Sequence, residues 1–172
     1  AIDLLIKALK DKDSFVCSAA FTGLARFNDP RIIDPIIEYA ESCDKSQWTS
    51  VVPLLATKGD KKIVKPLYKI FDKATDIDLK INIISILTED AYKESQTVDL
   101  LVGALKDSNS KLKISAIKAL GDMGDKKAIK HLCDYLTEKD QEICRTADEA
   151  LAKLGYKKTA FTKLKAIFFK KY

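Results

Sequence analysis

The chain has 172 residues, 47% of them hydrophobic and 32% charged, and a net charge of +5. That composition is too apolar for a disordered segment, and no apolar run approaches the roughly 18 residues that span a bilayer, nor does a secretory signal open the sequence. The charge is concentrated: residues 156–172 hold six lysines and no acid, which leaves −1 for the 155 residues before them and argues against a basic nucleic-acid surface along the body.

The chain starts at Ala1 already in the apolar rhythm Ile2, Leu5, Leu9, which reads as a helix cut from a longer protein. Asp13-Ser14 opens a second helix, with Val16, Ala20, Leu24 and Phe27 as its core stripe. Asn28 is placed for a left-handed helix end, and Asp29-Pro30 caps and starts the next helix, which carries Ile33, Ile36 and Ile37. A further helix holds Trp48, Val52 and Leu55, with Pro53 inside it, and ends at Gly59. Asp60-Lys61-Lys62 then caps a helix with Val64, Leu67, Ile70 and Phe71, followed by one anchored at Leu87. Residues 91–97 lengthen the next linker by two, which is read as drift. Val98, Leu101 and Leu105 mark another first helix, and Asn109-Ser110 opens its partner, which ends at Gly124. Asp125-Lys126-Lys127 begins the last complete pair, with Ile129, Leu132, Tyr135 and Leu136 before Asp140-Gln141 and with Gly155 at its end.

These pairs repeat. Leu4–Ile36 aligns with Leu100–Leu132 at an offset of 96 residues, and the anchors Leu24, Leu55, Leu87, Leu120 and Leu151 are spaced 31, 32, 33 and 31 apart. A helical pair of this size cannot bury its apolar face alone, so neighbours must stack. The expected fold is all-α, a right-handed α-solenoid of about five helical hairpins in one repeat domain. Its units are 1–28, 29–59, 60–91, 92–124 and 125–155, with 156–172 as a cap or the start of a sixth.

The run Asp29-Pro30-Arg31-Ile32-Ile33, the run Val16 to Leu24 and above all residues 112–124 resemble the HEAT-like repeats named after phycobilisome lyases, an armadillo-like class. The resemblance covers nearly the whole chain and implies the solenoid fold. It does not imply one function, because such repeats serve lyases, hydroxylases, transport adaptors and scaffolds. The second unit departs from the pattern, with Gln47-Trp48-Thr49 where the family shows Val-Arg-x.

Catalysis finds little support in the residues. HEAT-like deoxyhypusine hydroxylase holds iron through repeated His-Glu pairs, whereas this chain has a single histidine, His131, in the column of Pro35 and Pro66. No nucleophile elbow or phosphate loop is present. Cys17, Cys43, Cys133 and Cys144 form no Cys-x-x-Cys pair and read as free thiols of a cytoplasmic protein. The adjacent acids Asp148 and Glu149 read as a solvated pair. The expectation is therefore a non-enzymatic scaffold without metal or cofactor. A bilin-lyase relative and a DNA-alkylation-repeat relative, the latter able to call only on Trp48, stand as alternatives.

Counting 100° per residue from the core stripe places positions 18, 22 and 25 opposite it and 21 on its flank. The row through 18 reads Ser18, Thr49, Ile81, Ile114, Arg145, so two isoleucines should face water. Beside them the row Phe21, Val52, Ile84, Ile117 and the small-residue row Ala25, Ala56, Thr88, Gly121, Ala152 form an apolar groove on the concave face, unless the row through 21 simply packs between adjacent second helices, which is the alternative reading. Trp48 would be its aromatic anchor and a protein or peptide segment its occupant. In the tail, Phe161, Leu164, Ile167 and Phe168 alternate with lysines. Lys157, Lys158, Lys163, Lys165, Lys170 and Lys171 are thus candidates for contact with an anionic membrane or nucleic acid, or the solvated side of a sixth first helix.

Overall fold

The structure, a computed structural model, describes residues 1–157. Among the described residues all regular elements are helical. In chain order they are α1 (Ile2–Ala8), α2 (Ser14–Ala25), α3 (Ile33–Ser42), α4 (Trp48–Thr57), α5 (Val64–Lys73), α6 (Ile77–Leu87), α7 (Ser95–Ala104), α8 (Ser110–Met123), α9 (Ile129–Leu132) and α10 (Gln141–Lys153). Short 3-10 turns at Pro30–Ile32, Lys45–Gln47, Lys61–Ile63 and Lys126–Ala128 lead into α3, α4, α5 and α9, and one at Cys133–Thr137 prolongs α9.

Side-chain caps start most of these elements where the sequence places Asp or Asn, Asp44 being the exception. The carboxylates of Asp29, Asp60 and Asp125 accept the backbone N–H groups of Arg31, Lys62 and Lys127 at 2.8–2.9 Å. On the second helices Asp13 accepts from Phe15 at 2.8 Å, Asp76 from Asp78 at 2.9 Å, Asn109 from Leu112 at 3.2 Å, and Asp140 from Glu142 at 2.9 Å. Each bond satisfies a donor that the first helical turn leaves orphaned. At the opposite ends Gly59, Gly124 and Gly155 turn the chain with φ of 68°, 73° and 74°, a conformation that a Cβ disfavours. Asn28 does not do the same. No described residue other than glycine has positive φ, and the chain leaves α2 through a right-handed Arg26.

The chain divides into two compact units, Ala1–Ile83 and the part from Ile84 onward, with the division inside α6. In the first unit α1 packs on α2, and α3 packs on both α4 and α5. Leu24, Ile32, Ile36, Val51, Leu55, Ile63 and Leu67 are fully buried there. In the second unit α7 packs on α8, and α10 on α8 and α9, around Leu101, Leu120, Leu132 and Ala147.

The core stripe differs from the sequence expectation. Val16 is 39% exposed, while Cys17 and Phe21 are buried with Ala20 and Leu24. Val16's repeat column is polar at Gln47 and apolar and buried at Leu79, Leu112 and Ile143. At Gly121 the small-residue column has a different cause from an open groove. A Cβ on Gly121 would lie 2.9 Å from both Cα and Cβ of Ala150, so glycine lets α8 and α10 touch. The long linker is pinned rather than loose, since Tyr92 and Thr97 are buried.

Candidate partner-binding faces

The residues proposed for the groove fall into both units. Phe21, Trp48, Val52 and Ile81 belong to the first, and Ile84, Ile114 and Ile117 to the second. Five of the seven are core. Trp48 is buried and its indole Nε1–H donates to the Ala40 carbonyl at 2.9 Å. Phe21 stacks on Tyr39 with ring centroids 5.5 Å apart and planes inclined by 23°. Val52, Ile84 and Ile117 are closed off from water. A second helix meets its own first helix as well as neighbouring hairpins, so its buried arc is wider than a single stripe and takes in the flanking column. Trp48 is therefore a structural anchor, not a docking one, and it is not free to stack on an extruded base. Ile81 and Ile114 differ: both are half-buried. They keep apolar surface on the solvent side in a column that is polar at Ser18, Thr49 and Arg145. Ser18 Oγ lies 3.3 Å from Gln47 Oε1, which ties the polar end of that column into the second hairpin.

A set of apolar residues on the first hairpin escaped the sequence reading. Leu4 is 72% exposed and Phe15 83%. Phe15's repeat equivalents are Ser46, Asp78, Lys111 and Glu142, all exposed and polar. The column comparison thus contained the signal, because an aromatic there has no packing role in any other hairpin. Phe15 borders a groove of about 730 Å³ that runs between the turns of the first two hairpins, past Cys17, Pro35, Tyr39 and Cys43. The ion pair Lys10–Glu38 lies beside it, at 2.7 Å.

Burial pushes the Cys43 thiol up to about 11, with the Asp44 carboxylate acting in the same direction, so it stays protonated and a poor nucleophile. Cys17 Sγ donates to the Asp11 carbonyl at 3.1 Å, and Cys144 Sγ to that of Leu136 at 3.0 Å. Burial likewise raises the phenols of Tyr39 and Tyr135, and the latter donates to the Leu105 carbonyl at 2.7 Å. Of the adjacent acids, Glu149 is exposed and takes an ion pair from Arg145 at 3.3 Å, while Asp148 is half-buried. Among the described residues no group of three or more His, Cys, Asp or Glu is placed to hold a metal ion, and no helix is long and apolar enough to cross a membrane.

On the first helices the surface is charged. In the first unit Arg31 pairs with Asp3 at 3.4 Å, Lys62 with Asp34 at 3.0 Å and Lys69 with Glu41 at 2.6 Å, each joining residues 28 apart in sequence. The Asp34 hydrogen bond raises the Lys62 ammonium above its ordinary value. In the tail, Lys157 is exposed. Lys158, Lys163, Lys165, Lys170 and Lys171, with the expected sixth first helix, lie outside the described residues.

The hairpins, their caps and their period have a counterpart among known families: residues 64–166, more than half of the chain, match the family model described as HEAT repeats. The chain belongs to the HEAT-repeat family. No curated protein matches it. Among solved structures, the HEAT-repeat chain is similar to an engineered protein whose crystal structure was determined by the Northeast Structural Genomics Consortium. The two are 20% identical with a TM-score of 0.54, over 99% of this chain and 85% of that one. At that identity the likeness establishes the fold, an all-α solenoid. HEAT repeats are generally protein-interaction scaffolds.

Proposed function

We propose that this HEAT-repeat chain is a non-catalytic, cytoplasmic scaffold that holds a protein segment against its second helices. The reading is carried by Ile81 in the first unit and, separately, by Ile114 in the second, each of which keeps part of its surface in water in a repeat column that is elsewhere polar. Apolar area left in water is stabilised by a covering partner, at roughly 25 cal/mol per Å². Four free thiols support a reducing compartment. A lone histidine and a neutral Cys43 support the absence of catalysis.

The test is the double variant Ile81→Asp/Ile114→Asp. Because both side chains are only half-buried, its helical circular dichroism should match that of the parent, with a melting temperature lowered by no more than partial burial of two carboxylates costs. Capture of a partner from native lysate should fall about tenfold or more, as for loss of an apolar anchor. Equal capture by the folded double variant would place the binding face elsewhere. Residues 112–124 support a competing reading as a bilin-lyase relative, and a change in the absorbance of a free bilin on titration with the chain would favour it.

A further inference from the structure

We propose that a groove on the first-helix side of the second unit binds an acidic peptide segment carrying one aliphatic side chain. In the first unit the step between successive first helices is closed by charge: Arg31 to Asp3, Lys62 to Asp34 and Lys69 to Glu41. The second unit repeats the ingredients. Asp125-Lys126-Lys127 corresponds to Asp60-Lys61-Lys62, and Lys127 stands 28 residues after Asp99, as Lys62 does after Asp34. Yet among the described residues no ion pair joins Lys127 to Asp99, and none engages Lys126, Lys130 or His131. These residues instead border a groove of about 500 Å³ between α7 and the start of the fifth hairpin, lined also by Val98, Val102 and Ile129. Val98 is buried, and Val102 and Ile129 are half-buried.

Three lysines against one carboxylate leave the rim at +2 from these four side chains. Positive charge around an apolar, low-dielectric floor concentrates the field where a ligand would sit. Val102 and Ile129 distinguish the occupant from a bare phosphate, which gains nothing from an aliphatic floor. The net −1 of residues 1–155 distinguishes it from a long polyanion, which needs cations continued along the fold. A short segment with carboxylates on either side of a leucine-like residue meets both features. This surface shares no residue with the Ile81 and Ile114 face, so each proposal can fail without the other.

The experiment uses the whole chain and a fluorescein-labelled short peptide of aspartate and glutamate with a central leucine. Anisotropy at low ionic strength should show saturable binding that weakens as added salt shortens the screening length to a few ångströms. Lys127→Glu/Lys130→Glu should weaken it about tenfold or more, since it replaces attraction by repulsion. Lys62→Glu, which breaks the Asp34 pair in the other unit, should leave it unchanged. The peptide with serine for leucine should bind more weakly than its parent. Methyl resonances of Val98, Val102 and Ile129 should shift on titration of the unmodified chain, a readout that needs no variant to fold. Absence of saturable binding, undiminished binding to the double-lysine variant, equal binding of the serine peptide, or equal competition by a short oligonucleotide would each overturn the proposal.

Discussion

Gly121 is the position where one methyl group decides most. Its missing Cβ would come within 2.9 Å of Ala150 Cα and Cβ, and neither atom can rotate away as a side-chain tip can. Gly121→Ala therefore forces α8 and α10 apart and should cost about 1–3 kcal/mol. Gly103 is the matched control: it lies in α7, is exposed, and nothing lies within 4 Å of a Cβ built there. Gly103→Ala should stabilise the chain by about 0.5–1 kcal/mol through the entropy of the unfolded state. Urea unfolding of the two variants gives the signs directly, and a Gly121→Ala protein as stable as its parent would show that the helices have slack. Small size at Gly121 was visible in the sequence, but its cause was not, because a small residue can mean a close crossing or an open strip. Trp48 poses the same difficulty. Its column also contains Cys17, Lys80, Lys113 and Cys144, so nothing local announces that the indole is buried and its Nε1–H bonded to Ala40.

At the level of helices the most legible features were those written in adjacent residues. An Asp or Asn one or two positions before an apolar periodic run is a cap by local chemistry, and the caps at Asp13, Asp29, Asp60, Asn109, Asp125 and Asp140 are all made. Helix phase was harder to read. A stripe drawn through Val16, Ala20, Leu24 and Phe27 is one residue out at its start, since Cys17 is buried and Val16 exposed. Placing it needs the neighbouring hairpin, which periodicity within one helix does not contain. The local character of caps also sets their energy. Asp140 accepts from Glu142 at 2.9 Å and Ile143 at 3.3 Å, so Asp140→Ala should destabilise by about 1 kcal/mol. Lys62→Ala, which removes an ion pair whose two side chains are 59% and 64% exposed, should change stability by less than the loss of the cap does, because solvent screens an exposed pair. If the lysine variant lost more than the cap variant, the charged steps between first helices would be structural and not merely superficial.

Across the whole molecule the period was legible because the same few demands recur every 31 to 33 residues, whereas the surface was not, because a binding face is defined by what leaves the core open. Phe21, Val52, Ile84 and Ile117 read as a groove in one dimension and are core in three. A property that sums over the entire fold is its response to alkali. Burial raises Cys43 from an ordinary 9.0 to about 11, and it raises Tyr39 and Tyr135 above their ordinary 10.0. All three are neutral when protonated, so above pH 9 the folded chain retains protons that the unfolded chain has released. Stability then falls as pH rises, with the slope set by that difference in bound protons. The raised Lys62 ammonium adds a loss of the same sign at higher pH. Melting temperature should therefore be level through neutrality and decline from about pH 9 upward, the region where free thiols and phenols ionise. Cys43→Ala should flatten the first part of that decline, between pH 9 and about 11, whatever its effect on the neutral plateau. Tyrosinate absorbance should rise later in the folded chain than in urea. A melting temperature unchanged through pH 11, or tyrosines that titrate alike in both states, would mean that water reaches these three groups despite the packing around them.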